Sequence, residues 1–289
     1  MKTFKSLFFV LALGFVACQN DTVAPALSGE QAVANEVAIE ETESVLDNIS
    51  MYSESTFGVD FSTSTTGKDS GLKGEDSHNH GRSGFFSNCT DITVEVNGDM
   101  VTATITFTGD CTDYNGNVIT GTITKTWSVT DTSKERTITV DNLTINGYVV
   151  NGTKTYTYTA SNANGNPEMT GSVDISVETD AGTITKVGTK TVEITAGGDT
   201  DSCFDDEKTI TGSFVYTDAS GATFSVDITT PLVKPAECLY IASGIKEYTT
   251  AEGTTVLDYG DGTCDNMATK TTPDGTVTTV ELGRKRHHD

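Results

Sequence analysis

Residues 93–107 read TVEVNGDMVTATITF, and this stretch decides the fold class. Val94 and Val96 alternate with other residues, Asn97-Gly98 follows, and apolar residues then return at every second position. Because successive side chains of a strand point to opposite faces, this alternation predicts strands with one buried face. An Asn-Gly pair between two such runs is a strong signal for a two-residue hairpin turn. The stretch therefore predicts two antiparallel strands joined tightly.

The same alternation continues almost to the end of the chain. Apolar residues recur with period two in Ile123–Val129, Tyr156–Tyr158, Val173–Val177, Val192–Ile194 and Phe224–Ile228. The positions between these apolar residues hold mainly Thr, Ser and Lys. We expect their side chains to face solvent, because half-buried antiparallel strands have one apolar and one polar face. Turn-forming Asn, Asp, Ser and Gly separate the segments, and no helical pattern is found. We predict an all-β antiparallel meander of about a dozen strands over residues 85–289, as a curved open sheet or a sandwich.

Composition excludes several classes of protein. The chain has 289 residues, of which 35% are hydrophobic, and 18 basic residues stand against 41 acidic ones for a net charge of −23. An apolar content of this size opposes a wholly disordered acidic chain. Binding to nucleic acid requires clusters of Lys and Arg that neutralise phosphates, so no nucleic-acid partner is expected.

The N-terminus predicts export and a lipid anchor. Residues 1–18 read MKTFKSLFFVLALGFVAC, in which two lysines precede an apolar run too short to span a bilayer. The Ala17-Cys18 ending resembles the lipobox of bacterial lipoproteins, which implies a signal peptide at 1–17 and acylation of the Cys18 thiol. Several acyl chains on one residue give firm membrane attachment. Gln19, rather than Asp, follows the cysteine, which favours the outer membrane. The anchored protein would then be either periplasmic or surface-exposed. An ordinary secretory signal is the alternative.

Residues 18–84 are predicted to comprise a lipidated tether, one helix and a flexible linker. Ser28 followed by Gln31 is a capping-box pattern, and the helix is expected to continue to about Tyr52 and to pack loosely, because its apolar residues only partly keep a helical period. Residues 53–84 have the composition of a linker. His78 and His80 lie there beside two acidic residues, but a solvated linker is preferred to a metal site.

Five cysteines follow Cys18. Cys89 and Cys111 lie at similar distances from the Asn-Gly turn, and Cys238 and Cys264 straddle another turn in the same way. An oxidising compartment allows both pairs to form disulfides, with Cys203 free. Pairing of Cys203 with Cys238, or reduced thiols throughout, are the alternatives.

Several runs carry a family resemblance, and the most distinctive is DYGDGTCDN at residues 258–266. Together with Phe85–Cys89, Val149–Thr155, Ile228–Leu232 and Cys238–Gly244, it resembles a group of uncharacterised outer-membrane lipoproteins of the Bacteroidetes type. The resemblance covers residues 85 to 283 and implies a secreted, lipid-anchored β-protein. It implies no particular activity.

The sequence offers no catalytic constellation. All four histidines lie in the linker or the tail, no phosphate-binding loop is present, and no cofactor is expected. Asp258, Asp261 and Asp265 are weak candidates for calcium ligands, as are the residues of the 110–117 loop, but neither has the EF-hand spacing. Asp, Asn and Gly also form turns, so we expect the Asp258–Asn266 segment to order the C-terminal hairpin without a metal.

These observations favour a non-enzymatic lipid-anchored envelope protein with a structural or binding role. Its expected partners are the membrane, through the N-terminal lipid, and an extracellular polysaccharide or envelope protein. The alternative is a carboxylate-based glycan hydrolase or lyase, which requires two suitably spaced carboxylates beside aromatic residues on a concave surface. Rows of Thr such as Thr122–Thr126 also occur in ice-binding proteins, but Thr is a common residue of exposed strand faces, and that interpretation is preferred.

Overall fold

The computed structural model describes residues 26–56, 89–113, 116–128, 135–199 and 205–282, and contains one helix followed by strands. The helix is α1 (Gly29–Thr56). The strands are β1 (Thr90–Asn97), β2 (Met100–Thr112), β3 (Val118–Ser128), β4 (Arg136–Ile145), β5 (Tyr148–Thr159), β6 (Glu168–Thr179), β7 (Gly182–Ala196), β8 (Glu207–Thr217), β9 (Thr223–Lys234), β10 (Ser243–Thr250), β11 (Gly253–Asp261), β12 (Met267–Thr271) and β13 (Val277–Glu281). The proposed signal peptide, Cys18, Cys203 and all four histidines lie outside the described residues.

The strands form a single 13-stranded antiparallel sheet whose spatial order follows the sequence. This confirms the all-β meander, and of the two expected architectures it is the open sheet. In the first hairpin Val94 pairs with Ala103 and Asn97 with Met100. The two turn residues are therefore Gly98 and Asp99, one position later than the Asn-Gly pair, and Gly98 supplies the positive φ of 62° that the tight turn requires.

Helix α1 begins with the expected capping box. The Gln31 N–H donates to Ser28 Oγ at 3.3 Å, and the Ser28 N–H donates to Gln31 Oε1 at 2.9 Å. The helix continues to Thr56, past the predicted end at Tyr52. Among the described residues, no helix combines the length and the apolar content that crossing a membrane requires.

The expectation that the helix packs loosely is wrong. Ala32, Ile39 and Leu46 are fully buried in the same core as residues of the sheet, such as Ile105 and Val226. These helical residues are seven apart, so they lie on one stripe of the helix. Buried Glu36 and Glu43 occupy intervening positions of that stripe, which explains why the apolar period is broken in the sequence.

The sheet has an inner face that contacts the helix and an outer face without cover among the described residues. Residues directly opposite on paired strands point to the same side. A row of threonines crosses five strands on the outer face in this way, comprising Thr93, Thr104, Thr124, Thr139 and Thr153. Neighbouring hydroxyls also bond across strands, as between Thr106 and Thr122 at 3.3 Å. The prediction that Thr occupies the solvent face is confirmed.

Two pairs of cysteines lie at disulfide distance, as expected. Cys89 and Cys111 are joined with their Cα atoms 5.5 Å apart, and Cys238 and Cys264 with theirs 5.8 Å apart. The first bond ties the residue before β1 to β2, and the second ties the segment after β9 to the loop after β11. Cys238 is therefore not paired with Cys203.

Candidate functional site

The charged side chains of the inner face form the main cluster of titratable groups in the described structure. Lys125, Lys154 and Lys186 are only 1%, 6% and 2% exposed. Their assignment to the solvent face is therefore wrong. The physical reason is that the helix presents carboxylates opposite Lys154 and Lys186, so that their charge is compensated on burial, while Lys125 Nζ lies 5.9 Å from the centre of the Trp127 ring.

One ion pair lies near the start of the helix and a second group lies at its centre. Lys246 Nζ on β10 is 2.9 Å from Glu36 Oε1, and Tyr248 Oη donates to Glu36 Oε2 at 2.6 Å. At the centre, Lys186 Nζ on β7 donates to Glu40 Oε1 at 2.6 Å and also to Glu43 Oε2. Both glutamates are thus bridged by one ammonium group.

The third group lies further along the helix, on β5. Lys154 Nζ is 2.7 Å from Asp47 Oδ1 and 3.2 Å from Glu43 Oε1. Tyr156 Oη donates to the same Asp47 oxygen at 2.5 Å. Glu43 therefore connects Lys154 with Lys186, and the contacts form one continuous network from β5 to β7.

The arrangement follows from the spacing of the helical residues. Glu36, Glu40, Glu43 and Asp47 are separated by four, three and four residues, which places them on one side of a helix. We call these residues the acidic stripe. Their partners Lys246, Lys186 and Lys154 are called the lysine row. Because the row runs over β10, β7 and β5, the helix lies across the strands rather than along them.

The electrostatics of this interface are set by burial and by pairing. Burial alone would raise the pKa of Glu40, but the positive charges of Lys186, Lys190 and Lys246 and the hydrogen bond from Lys186 together outweigh it and lower that pKa to about 2. Burial alone would lower the pKa of Lys246, but Glu36 raises it above its usual value. Glu40 and Lys246 are therefore ionised at neutral pH.

Aromatic side chains of β8 complete the network. Lys186 Nζ lies 4.3 Å from the centre of the Phe214 ring and 5.7 Å from that of Tyr216, within the range of cation–π attraction. Tyr216 Oη is fully buried and has no hydrogen-bond partner within the described part of the chain. Burial, followed by the charges of three nearby glutamates, raises the pKa of this phenol and keeps it protonated.

A cleft of about 170 Å³ opens between the second half of the helix and β5 to β8. It is lined by both acidic and basic members of the network, by Ser44, Ser172 and Lys190, and by Met169, Val173, Val192 and Phe214. Pockets for drug-sized ligands measure roughly 300–1,000 Å³, so this cleft has room for a few waters or one very small molecule. A general acid must hold its proton at the working pH, and Glu40 does not. The geometry of these groups holds the helix in place.

The aspartates singled out as calcium candidates lie around a shallow hollow of about 140 Å³ beside β11 and β12. Asp258, Asp261 and Asp265 each accept a hydrogen bond from the backbone N–H two residues later, at 2.9, 3.1 and 2.9 Å. The hydrogen bonds expected of turn-forming residues are therefore present. No cluster of three or more potential metal ligands occurs among the described residues.

The other candidate loop is also closed by its own side chains. Asp113 accepts hydrogen bonds from the Asn117 N–H and from Asn117 Nδ2, both at 2.8 Å. Both carboxylate oxygens of Asp113 are thus engaged within the loop. The calcium question remains a prediction for both segments, tested below for the first.

The lysine row was not recognised in the sequence, although a signal was available. Lys125 is two residues from both Ile123 and Trp127, and Lys186 is two residues from Ile184. Each lysine therefore points to the same face of the sheet as these apolar residues. A lysine in register with apolar neighbours on one strand predicts a buried charge, which in turn requires a carboxylate partner. For Lys186 the acid-rich helix supplies that partner.

Comparisons with known proteins add no identity to this geometry. No family model and no curated protein matches the sequence, and no solved structure matches the fold. The resemblance to Bacteroidetes-type lipoproteins therefore remains a prediction from the residues quoted above.

Replacing Lys186 by Met tests the interface. Removing the ammonium leaves Glu43, with only 9% of its side chain exposed, with Lys154 as its remaining basic partner. Loss of one partner of a buried pair costs about 3–5 kcal/mol, and we expect the free energy of unfolding in urea to fall by about 3 kcal/mol. Lys270→Met is the matched control, because its partner Glu30 is 80% exposed and such pairs contribute less than about 1 kcal/mol. Equal losses in the two variants would contradict the assigned role.

The same variant should alter acid unfolding. The lowered pKa of Glu40 stabilises the folded state above the usual range of a glutamate, and this contribution is lost as the pH falls towards about 2. In Lys186→Met the largest of the causes that lower this pKa is removed, so protonation and unfolding should begin at a higher pH. Circular dichroism during acid titration measures the shift. An unchanged midpoint would show that Lys186 does not set this titration.

Calcium should leave the thermal stability of the protein unchanged. The three aspartates of the C-terminal loop are engaged in turn hydrogen bonds, so we expect the same Tm in millimolar Ca²⁺ and in chelator. Asp261→Ala should lower the Tm slightly through loss of the bond from the Thr263 N–H, and by the same amount whether or not calcium is present. A rise of several degrees with Ca²⁺ that Asp261→Ala abolishes would establish a calcium site instead.

Proposed function

We propose that this chain is a lipid-anchored cell-envelope protein with a non-enzymatic structural or binding role. The observation that carries the non-enzymatic part is the pairing of the acidic stripe with the lysine row. The acidic groups of the cleft are engaged in holding α1 on the sheet. The interior therefore supports a rigid scaffold.

The support for the lipid anchor is the sequence of residues 1–18. Acylated Cys18 would precede the first helical residue, Gly29, by eleven positions. A chain extends by at most about 3.3–3.6 Å per residue, so the helix would lie within about 40 Å of the bilayer. On this proposal the helix is the first folded element after the membrane and connects the anchor to the sheet.

The outer face supports a binding role for a polymer or an envelope protein. Besides the rows of threonine it carries acidic residues, including Glu95, Asp141, Asp174, Asp227 and Glu247. Trp127, Tyr216 and Tyr248 are turned into the core and are not available for stacking on sugars. A partner on this face would therefore be recognised through hydroxyl and carboxylate hydrogen bonds.

The hydrolase or lyase alternative receives less support from the cleft. Its carboxylates lie beside Tyr156 and Phe214, as a glycan site would require, but they contact ammonium groups at 2.7–3.2 Å or closer. A carboxylate at this distance from a lysine is already engaged in an ion pair. Neither the proton donor nor the free base of a glycosidase is provided.

The anchor is tested by Cys18→Ser. We expect the wild-type protein to sediment with membranes and to enter the detergent phase, whereas the variant should be recovered in the soluble periplasmic fraction, because no acyl chain can be attached. Cys203→Ser, which leaves the anchor intact, is the control. Detergent partitioning of Cys18→Ser equal to that of the wild type would refute the lipid anchor.

The binding role is tested by cross-linking and recovery of the protein from intact cells. Thr124→Lys with Thr139→Lys changes the outer face, where directly opposed lysines should repel an interacting surface, and we expect captured polymer or protein to decrease. Glu40→Gln, which changes the cleft and leaves the outer face intact, is the control. The amount of polymer or protein captured with it should equal that of the wild type. Conversely, shortening of envelope glycans by the purified wild type, abolished in Glu40→Gln, would favour the hydrolase.

A further inference from the structure

The charges of the helix and of the sheet are segregated. Helix α1 contains seven acidic residues and no basic one. Every basic residue of the described strands lies on the inner face, as the pairing register shows. They are Lys125, Arg136, Lys154, Lys186, Lys190, Lys208, Lys234, Lys246 and Lys270. The inner face is therefore a cationic, partly apolar groove, and the helix is its anionic counterpart.

The helix is held in this groove through side chains. Among the described residues, no backbone hydrogen bond connects α1 to a strand. The contacts are the ion pairs of the acidic stripe and the burial of aliphatic residues such as Ile39 and Leu46. This is the mode in which grooves bind amphipathic helices from separate chains. The helix can therefore leave and enter the groove without disturbing the hydrogen bonding of the sheet.

The chain between helix and sheet is long enough for the groove of another molecule to be reached. Residues 57–88 separate α1 from the start of the described β domain at Cys89. At about 3.3 Å per residue these 32 residues span at most roughly 100 Å. Exchange of an identical element between two copies preserves every contact of the monomer, so its energetic cost is small.

We propose that the inner face is a binding groove for an acidic helix with an apolar stripe, and that it accepts α1 from a second copy of this chain. In one molecule the groove is filled by its own helix. Because the contacts are the same in both cases, local concentration decides between the closed monomer and the exchanged dimer. A flexible linker, which the composition of residues 53–84 predicts, would give an effective concentration of about the millimolar range. Crowding of copies at a surface would favour exchange. The proposal goes beyond the envelope role and does not depend on the lipid anchor.

The first test uses the full chain carrying a protease site within residues 62–70. After folding, the site is cleaved, so that α1 remains bound without a covalent link. A fluorescent peptide of residues 26–56 is then added in excess. We expect it to replace the resident helix and to bind with an affinity that decreases with salt, because salt screens the long-range attraction between the acidic peptide and the cationic groove.

A matched peptide with Glu36→Lys and Glu43→Lys provides the control. Both changes place like charges against buried lysines, so its affinity should be lower by about thirtyfold or more. If neither peptide enters the cleaved protein, or if both bind equally, the groove is not selective for an acidic helix and the proposal fails.

The second test examines exchange between whole chains. Glu36→Lys places two positive charges together at Lys246, and Lys246→Glu places two negative charges together at Glu36. Mixing these two variants allows each helix to find a complementary groove in the other chain. We expect a heterodimer in native mass spectrometry that neither variant forms alone, with a Tm above that of both.

A chain with both changes serves as the reference for the exchanged pair. It should fold as a monomer, because its own helix and groove match again. If this chain folds and the mixture contains no heterodimer, exchange between copies is refuted. If it does not fold, the peptide experiment decides the proposal, since that experiment uses the wild-type helix and groove.

Discussion

The structure depends on one constraint, which is that the ammonium groups on the inner face of the sheet must be neutralised where they are buried. Lys154 and Lys186 are almost inaccessible to solvent, and an unpaired charge in that position would cost several kcal/mol. The acidic stripe of α1 meets this requirement. Removing the helix would expose the lysine row and the apolar core together, so the groove is stable only when an acidic helix occupies it.

This constraint also explains why an open sheet of 13 strands is sufficient. A sandwich buries each apolar face against a second sheet, whereas here a helix lying across the strands contributes Ala32, Ile39 and Leu46 to a core that also contains residues of β2 to β10. The outer face requires no second layer, because it is made mainly of hydroxyl and carboxylate groups that water satisfies, and exposed apolar residues such as Val187 and Val215 are a minority there. One sheet thus has a dry, cationic side and a wet, anionic side.

Local patterns were enough to predict the strands, the hairpins, both disulfides and the start of the helix. Period two, turn residues and the Ser28–Gln31 capping box are all short-range signals. The docking of the helix could not be predicted from its apolar residues, because Glu36 and Glu43 stand where a hydrophobic stripe would normally continue. The lysines lie in register with apolar residues of the strands, and the acidic residues are spaced to lie on one side of the helix. Neither observation alone predicts that the helix packs on the sheet. They become informative only when read as two halves of one interface, and the residues involved are more than 100 positions apart in sequence.

The buried ion pairs contribute more to the specificity of helix docking than to stability, because replacement of such pairs by packed hydrophobic residues is often neutral. A shift of the helix by four residues keeps a carboxylate opposite Lys246 but moves Glu43 into the apolar position of Ile39. A shift by seven residues still places carboxylates opposite the partners of Glu36 and Glu40. It also places Ser50 in the position of Glu43, which contacts two lysines, and Ser53 in the position of Leu46, which lies in the core. Either alternative leaves a buried charge without its partner. An all-apolar stripe would tolerate such shifts, so the interleaving of Glu with Ala, Ile and Leu selects a single register of the helix on the sheet.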